Sequence, residues 1–358
     1  MSSAIGPLGS MPLRCANVPV LWAYLVSIPL RPVEALPGML KSANGRRTTV
    51  VFGYIAALAA VAMNVVYPAI TRVSVTATLT PADLLMLRLG ISGLIFAPYL
   101  FWNASTIPRR IWIAGVPLSF FHGWGMAACV IFGLQFAPAS HAAALGPGAL
   151  SAWIAVLGFL VYRIAISTQK FLAIGAIITG VLLILVGSAK GLSTANSMTG
   201  DVMFLAASGL AAAYLVYVQQ NRISPVLGVS LVSTYSAVVL LPWYLLAAKS
   251  GFSAASASEI ICQAVFQGIL SGCVVFLAIN YAAQTIGSQT TGMLFALVPA
   301  LGVVASLLIA KDPVSGIEWI AIFVISGGVV AGAWPAGRST SPQAAADGVI
   351  ARRCAQAD

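Results

Sequence analysis

The sequence predicts an all-α polytopic membrane protein of ten transmembrane helices, arranged as two inverted five-helix repeats. Three observations carry this. Hydrophobic residues make up 60% of the 358 and charged residues only 7%, whereas a soluble domain needs about 25% charged residues to meet water. Ten apolar runs, each long enough to cross a bilayer at about 20 residues, follow one another with short connectors. Residues of the first half recur in the second in the same helix order. The 33 glycines, with abundant alanine, suit helices that pack closely through small residues.

The runs lie at roughly 49–70, 82–101, 111–134, 140–161, 171–188, 201–219, 227–247, 260–282, 289–309 and 316–334. Between the third and fourth only Gln135 to Ala139 intervene, which predicts a tight helical hairpin. The seventh is the least apolar, with Ser230, Ser233, Thr234 and Ser236 in its first half. Residues 1–47 read as an N-terminal cytoplasmic extension. Its Val18–Leu30 stretch is too short to span, is broken by Pro19 and Pro29, and lacks a small-residue cleavage site. A functional start near Met39 is the expectation, with a targeting peptide as the alternative. The first repeat is then 48–190, the second 199–335, and 336–358 a cytoplasmic tail.

Lysine and arginine set the orientation. With a cytoplasmic N-terminus the inner segments carry Lys41, Arg46, Arg47, Arg109, Arg110, Arg163, Lys170, Arg222 and Arg338, with Arg352 and Arg353 in the tail; the outer ones carry only Arg72, Lys190, Lys249 and Lys311. The positive-inside rule places both termini in the cytoplasm, as an even helix count requires. The net charge of +10 is thus spread over connectors, and does not form a nucleic-acid-binding face. The five cysteines, Cys15, Cys129, Cys262, Cys273 and Cys354, have no CxxC spacing and fit neither a disulfide framework nor a metal site.

The repeat is visible residue by residue. Asn64, Tyr67 and Arg72 recur about 150 positions later as Tyr214, Tyr217 and Arg222, and Gln135 and Ser140 recur as Gln284 and Ser288. Five helices per half place the second half upside down relative to the first, the arrangement behind many secondary transporters.

These segments resemble the EamA-type branch of the drug/metabolite transporter superfamily over about 50–335. "AALAAVAMNVVYPAI" is similar to the family's opening helix, with Asn64 at its Asn position. "LTPADLLMLRLGISGLIFAPYLF" is similar to its second helix, with Arg88 at its Arg. "FGLQFAPASHAAAL" and "NYAAQTIGSQTTGML" resemble its two helix-connector-helix elements, and "FLAIGAIITGVLLILVG" and "WIAIFVISGGVVAGA" its two closing helices. The chain departs from the pattern at Val61-Ala62, where Trp-Gly is usual, and at Ser151, where Pro is usual; Pro299 keeps that place in the second half. Arg163-Ile164 and Lys311-Asp312 replace the short Gly-Glu turns, so only Asp312 keeps an acid. The resemblance implies ten-helix carriers, mostly exporters of amino acids and related metabolites.

Polar side chains inside spanning runs are costly and face a cavity or another helix. Gln263, Gln267 and Ser271 share one face of the eighth helix, as a hydrogen-bonding wall or as interhelical glue. Asn64 with Tyr67, and Tyr214 with Tyr217, sit three apart at matched positions, as substrate contacts or as packing. His122 and Trp124 lie within the third helix; His122 is a candidate proton carrier or a neutral, hydrogen-bonded ring. Asn280 joins this cavity set. Arg88 either snorkels outward or holds an anionic group. Asp83 reads first as the N3 residue of a capping box with Thr80, ahead of a coupling carboxylate. Asp201 opens the sixth helix, and His141 is expected at the membrane interface. Gly268 with Gly272, and Gly328 with Gly332, have the spacing of close helix packing, within the bundle or in a homodimer.

The expectation is a secondary transporter in a bacterial inner membrane that moves a small polar metabolite by alternating access, as an exporter. Its partners are that small-molecule substrate and membrane lipid, with no nucleic acid and no cofactor. No P-loop points to direct ATP drive. The rival readings are a non-transporting membrane scaffold and an intramembrane enzyme; HExxH, GxSxG and paired central carboxylates are all missing from the sequence.

Overall fold

The computed structural model describes residues 43–162, 167–191, 196–221 and 223–333. The Val18–Leu30 stretch, the start near Met39, Arg163, Arg222 and the tail lie outside the described residues. Ten helices long and apolar enough to cross a membrane are found among them. α1 is Ala43–Ala77, α2 Pro81–Trp102, α3 Arg109–Phe136, α4 Ala139–Tyr162 and α5 Thr168–Ala189. The second half has α6 Ser197–Gln220, α7 Pro225–Ala247 and α8, built from Ala257–Gln263, Ala264–Val274 and Val275–Thr285. It closes with α9, from Ser288–Phe295, Val298–Ala305 and Ser306–Ala310, and α10 Gly316–Ala333.

α1 outruns its apolar stretch. Its last turns contain Arg72, Ser74 and Thr76, and Ser74 and Thr76 meet their own polarity there by donating their hydroxyls to the carbonyls of Ile70 and Arg72, four residues back. The serine-rich α7 is a full helix. Ser230, Ser233 and Ser236 are buried and form its inward face.

Helix packing obeys the repeat. α5 pairs with α10 and α2 with α7, each helix against its own counterpart. α4 packs on α6 as α9 packs on α1, and α3 on α6 as α8 on α1. α8 packs on α2 as α7 packs on the start and middle of α3. Exchanging each helix for the one five places on therefore returns the same main pairings. This is the pseudo-two-fold that two inverted halves must have.

Glycines set the closest approaches. A Cβ on Gly180 would lie 2.8 Å from the Ala321 carbonyl oxygen, and one on Gly328 3.0 Å from that of Ala173. So α5 and α10 touch backbone to backbone. A Cβ on Gly272 would lie 3.1 Å from the Arg88 carbonyl oxygen, and one on Gly332 3.3 Å from the Ala173 Cβ. Both GxxxG pairs thus pack within the bundle.

Candidate functional site

The two third helices, α3 and α8, each contain a π-helical segment: Ser119–Gly123 in α3 and Ala264–Val274 in α8. A π segment inserts extra residues into a turn, loosens the hydrogen-bond ladder and re-aims side chains, often at functional sites. At the repeat shift Gly123 corresponds to Gly272 and His122 to Ser271. Each glycine lets a serine of the other half's second helix approach: Ser236 of α7 at Gly123, Ser92 of α2 at Gly272. Ser236 accepts the Trp124 N–H at 3.2 Å and donates to the Ser119 carbonyl, so it serves backbone groups at both ends of the α3 π segment.

Around the α8 segment lies a polar and aromatic cluster. The Gln267 amide donates to Thr71 Oγ1 at 3.0 Å and to Gln263 Oε1 at 3.4 Å. Gln263 donates to Ser74 Oγ at 2.6 Å, and Ser74 to the Ile70 carbonyl. Every donor in this chain points away from Gln267 and towards α1. That leaves Gln267 Oε1 buried and without a hydrogen-bond partner, as are Ser271 Oγ and His122 Nδ1. Gln267 and Ser271 lie four residues apart on α8, so a ligand or water between them could meet both open atoms.

The same region holds a cation. Tyr67 stacks on Phe266, ring centroids 6.3 Å apart, and the Arg88 guanidinium lies 4.8 Å over the Tyr67 ring. Arg88 has no carboxylate within ion-pair distance among the described residues. His122 stacks on Tyr214 at 4.4 Å and tilts against Phe276 at 5.9 Å.

Arg88, Tyr67, Gln263, Gln267 and Ser271 are thus gathered where α1, α2 and α8 meet, while His122 and Tyr214 stack on each other beside Phe276 of the same α8. Other expected site residues are placed differently. Asn64 and Asn280 donate their amides to carbonyls of their own helices, Ala60 at 2.9 Å and Phe276 at 2.8 Å. Trp124 packs edge-on against Phe120, and Tyr217 is buried with Ile111, Ile223 and Leu231.

A second polar region gathers at the end of the bundle where the even-numbered helices begin. All five Asp and Glu residues of the ten helices and their connectors are here: Asp83, Asp201, Glu259, Asp312 and Glu318. Asp83 does form the capping box with Thr80, but it is also wholly buried and does more. Its Oδ1 accepts from Tyr244 Oη at 2.6 Å and Ser250 Oγ at 2.9 Å; its Oδ2 accepts from the Gly251 and Thr80 N–H groups, both at 2.8 Å. Thr78 donates to Glu259. Arg72 donates to the Leu134 carbonyl and pairs with Asp312 at 3.6 Å, and Asp312 accepts the Ala139 N–H at 2.9 Å.

His141 does not lie at an interface. It is fully buried: Nδ1 is 2.7 Å from Asp201 Oδ1 and Nε2 2.9 Å from Glu318 Oε1. Asp201 also accepts the Ser188 hydroxyl, and Glu318 Oε2 the Ser315 N–H at 2.8 Å. The first turns of α4, α6 and α10 converge there, which is why a residue at a helix start lies in the core. The signal was present in the sequence, as three titratable residues each opening a helix at the same end.

Comparison with known proteins agrees with this architecture. The family model described as "EamA-like transporter family" matches residues 51–186 and again 198–331, one match per half. A search of the curated proteins finds no match. One solved structure, titled "Crystal structure of protein", superposes with a TM-score of 0.51 at 16% identity, over 79% of this chain and 95% of that one. At that identity the likeness extends to the fold alone.

Proposed function

Because the chain belongs to the EamA-like transporter family, we propose that it is a secondary carrier, not an enzyme, and that it exports a small polar metabolite such as an amino acid by alternating access. Arg88 supports this reading most directly. A cation inside a spanning helix costs about 2.5–3.5 kcal/mol near the bilayer centre, and no carboxylate of the described residues neutralises it. A substrate carboxylate on Arg88 would offset that cost with a paired, planar contact. Gln267 Oε1, the open acceptor at the head of its hydrogen-bond chain, suits an ammonium or other N–H donor on the same molecule. Tyr67 and Phe266 supply an aromatic wall beside both.

In this reading the protein is an inner-membrane protein of a bacterium, with both termini in the cytoplasm and the acidic end outside. The ties at that end join the two halves: Asp83 to the connector after α7, Thr78 to Glu259, Arg72 to Asp312, and His141 to both Asp201 and Glu318. They hold the outer end shut. Rocking one set of helices against the other must break them to release substrate outside.

The test is flux in proteoliposomes offered pooled labelled amino acids and small metabolites. Uptake above empty liposomes, falling at least tenfold in Arg88→Gln, is the expected result. No flux from folded protein across a broad pool refutes the carrier reading, and full flux in Arg88→Gln removes Arg88 from the site.

A further inference from the structure

The geometry points to the Asp201–His141–Glu318 triad as a proton-binding site whose proton fastens the acidic end of the bundle; this inference rests on the reading of the chain as an alternating-access carrier. A neutral imidazole has one N–H and one bare lone pair. At 2.7 and 2.9 Å both ring nitrogens face carboxylate oxygens. With the two carboxylates ionised, a neutral ring would aim its lone pair at one of them at contact distance. The closed arrangement therefore holds one more proton than a neutral ring with two carboxylates, shared among the three groups, and the triad as a whole carries one net negative charge out of contact with water.

Three features sustain that buried charge. The first turns of α4, α6 and α10 direct their N-terminal partial positive charges at it. The Ser188 hydroxyl, from the end of α5, donates to Asp201, and the Ser315 N–H to Glu318. The neighbouring charges are already engaged: Asp312, on the connector between α9 and α10, takes the Ala139 N–H and pairs with Arg72 of α1. Lys190 after α5 and Lys311 after α9 stand on exposed connectors. The chain has two histidines, and the other, His122, belongs to the interior site. His141 is thus the single imidazole at this end.

The sign follows. Opening the acidic end draws α4 away from α6 and α10 and wets the ring, and an imidazole in water gives up its proton near pH 6.5. Closing again must take one proton from that side. Low pH therefore favours the closed end and high pH the open one. With one proton linked, the open-to-closed ratio changes by up to about tenfold per pH unit above that point.

The experiment uses the full chain in liposomes, with Cys15, Cys129, Cys262, Cys273 and Cys354 replaced by serine. Spin labels go on Lys190→Cys and Ala254→Cys, in exposed connectors of opposite halves. Their distance distribution is recorded between pH 5.5 and 8.5. The expected result is a longer-distance population, relative to the shorter one, that grows at least tenfold across the range with the native triad and stays flat in His141→Gln. Asp201→Asn, whose amide can donate to a neutral ring, gives the same flat profile by a second route, and stands in if glutamine at 141 impairs insertion. A pH-independent distribution with the native triad overturns the inference, and so does an unchanged pH response in the two variants. The carrier reading fails separately: pH-linked distances in a protein that moves no solute would leave the triad intact and remove the carrier, whereas flux with flat distances would do the reverse.

Discussion

Replacing Asp83 separates the shape of a buried carboxylate from its charge. In Asp83→Ala the Gly251 and Thr80 N–H groups lose their acceptor, and each partly buried donor left unmet costs about 1–3 kcal/mol. Tyr244 and Ser250 lie near enough to the surface for water to serve their hydroxyls. Together the two unmet donors cost about 2–6 kcal/mol. Asp83→Asn behaves differently. Its carbonyl can take the place of Oδ2 and keep both N–H groups, while its NH2 replaces Oδ1 and faces two hydroxyls that can rotate to accept. The cost should be about 1 kcal/mol. Reversible unfolding in mixed micelles of dodecyl sulfate and a mild detergent would resolve the gap. Equal damage from the two substitutions would refute this reasoning, because the negative charge and not the acceptor would then be holding the end. A loss under about 1 kcal/mol in Asp83→Ala would show that the carboxylate does not fasten the connector at all.

Three further outcomes are expected. Gly200→Ala drives a methyl to 2.5 Å from the Ala137 Cβ and 2.6 Å from the Gly133 carbonyl, and should cost about 1–3 kcal/mol in the same unfolding assay; Gly175→Ala, with open space around it, should be neutral or stabilising by up to about 1 kcal/mol. Arg72→Ala, Asp312→Asn and the double variant should show a coupling of about 1–3 kcal/mol, since both side chains are about nine-tenths buried; additive losses would mean that the pair contributes nothing beyond its separate backbone bonds. Gln267→Ala should lower substrate flux at least tenfold while Asn64→Ala leaves it near the native rate, because the Asn64 amide is engaged within its own helix; the opposite ranking would relocate the site.

The ten helices were legible because lipid leaves so few choices. Each span is an apolar run of near-fixed length, and the five-helix repeat follows from matched residues such as Tyr67 and Tyr217. Asp83 was legible as a cap, since Thr80-Pro81-Ala82-Asp83 is a local pattern, but its bonds to Tyr244, Ser250 and Gly251 depend on contacts 161 to 168 residues away. His141 was misplaced for the same reason. A residue at a helix start looks interfacial until one sees that two other helix starts, with their acids, close over it. The π segments left almost no trace in the sequence. Only Gly123 and Gly272 mark where the neighbouring serines come in, and the open acceptor on Gln267 depends on the direction of a hydrogen-bond chain that no spacing rule encodes.

The acidic end also bears on how the chain is made. His141 enters the bilayer early, but Glu318 is synthesised 177 residues later, Asp312 follows Ala139 by 173, and Glu259 follows Thr78 by 181. At about 5–20 residues per second the ribosome needs roughly 10–35 s to supply each of these partners. Through that interval the early helices sit in the membrane with these ends only partly answered: Asp201 and Glu259 arrive with the sixth and eighth helices, and the tenth with its connector completes the set. A nascent chain stalled or cut before residue 312 would therefore have nine correctly apolar helices and an unsealed rim, the kind of defect that membrane quality control can recognise.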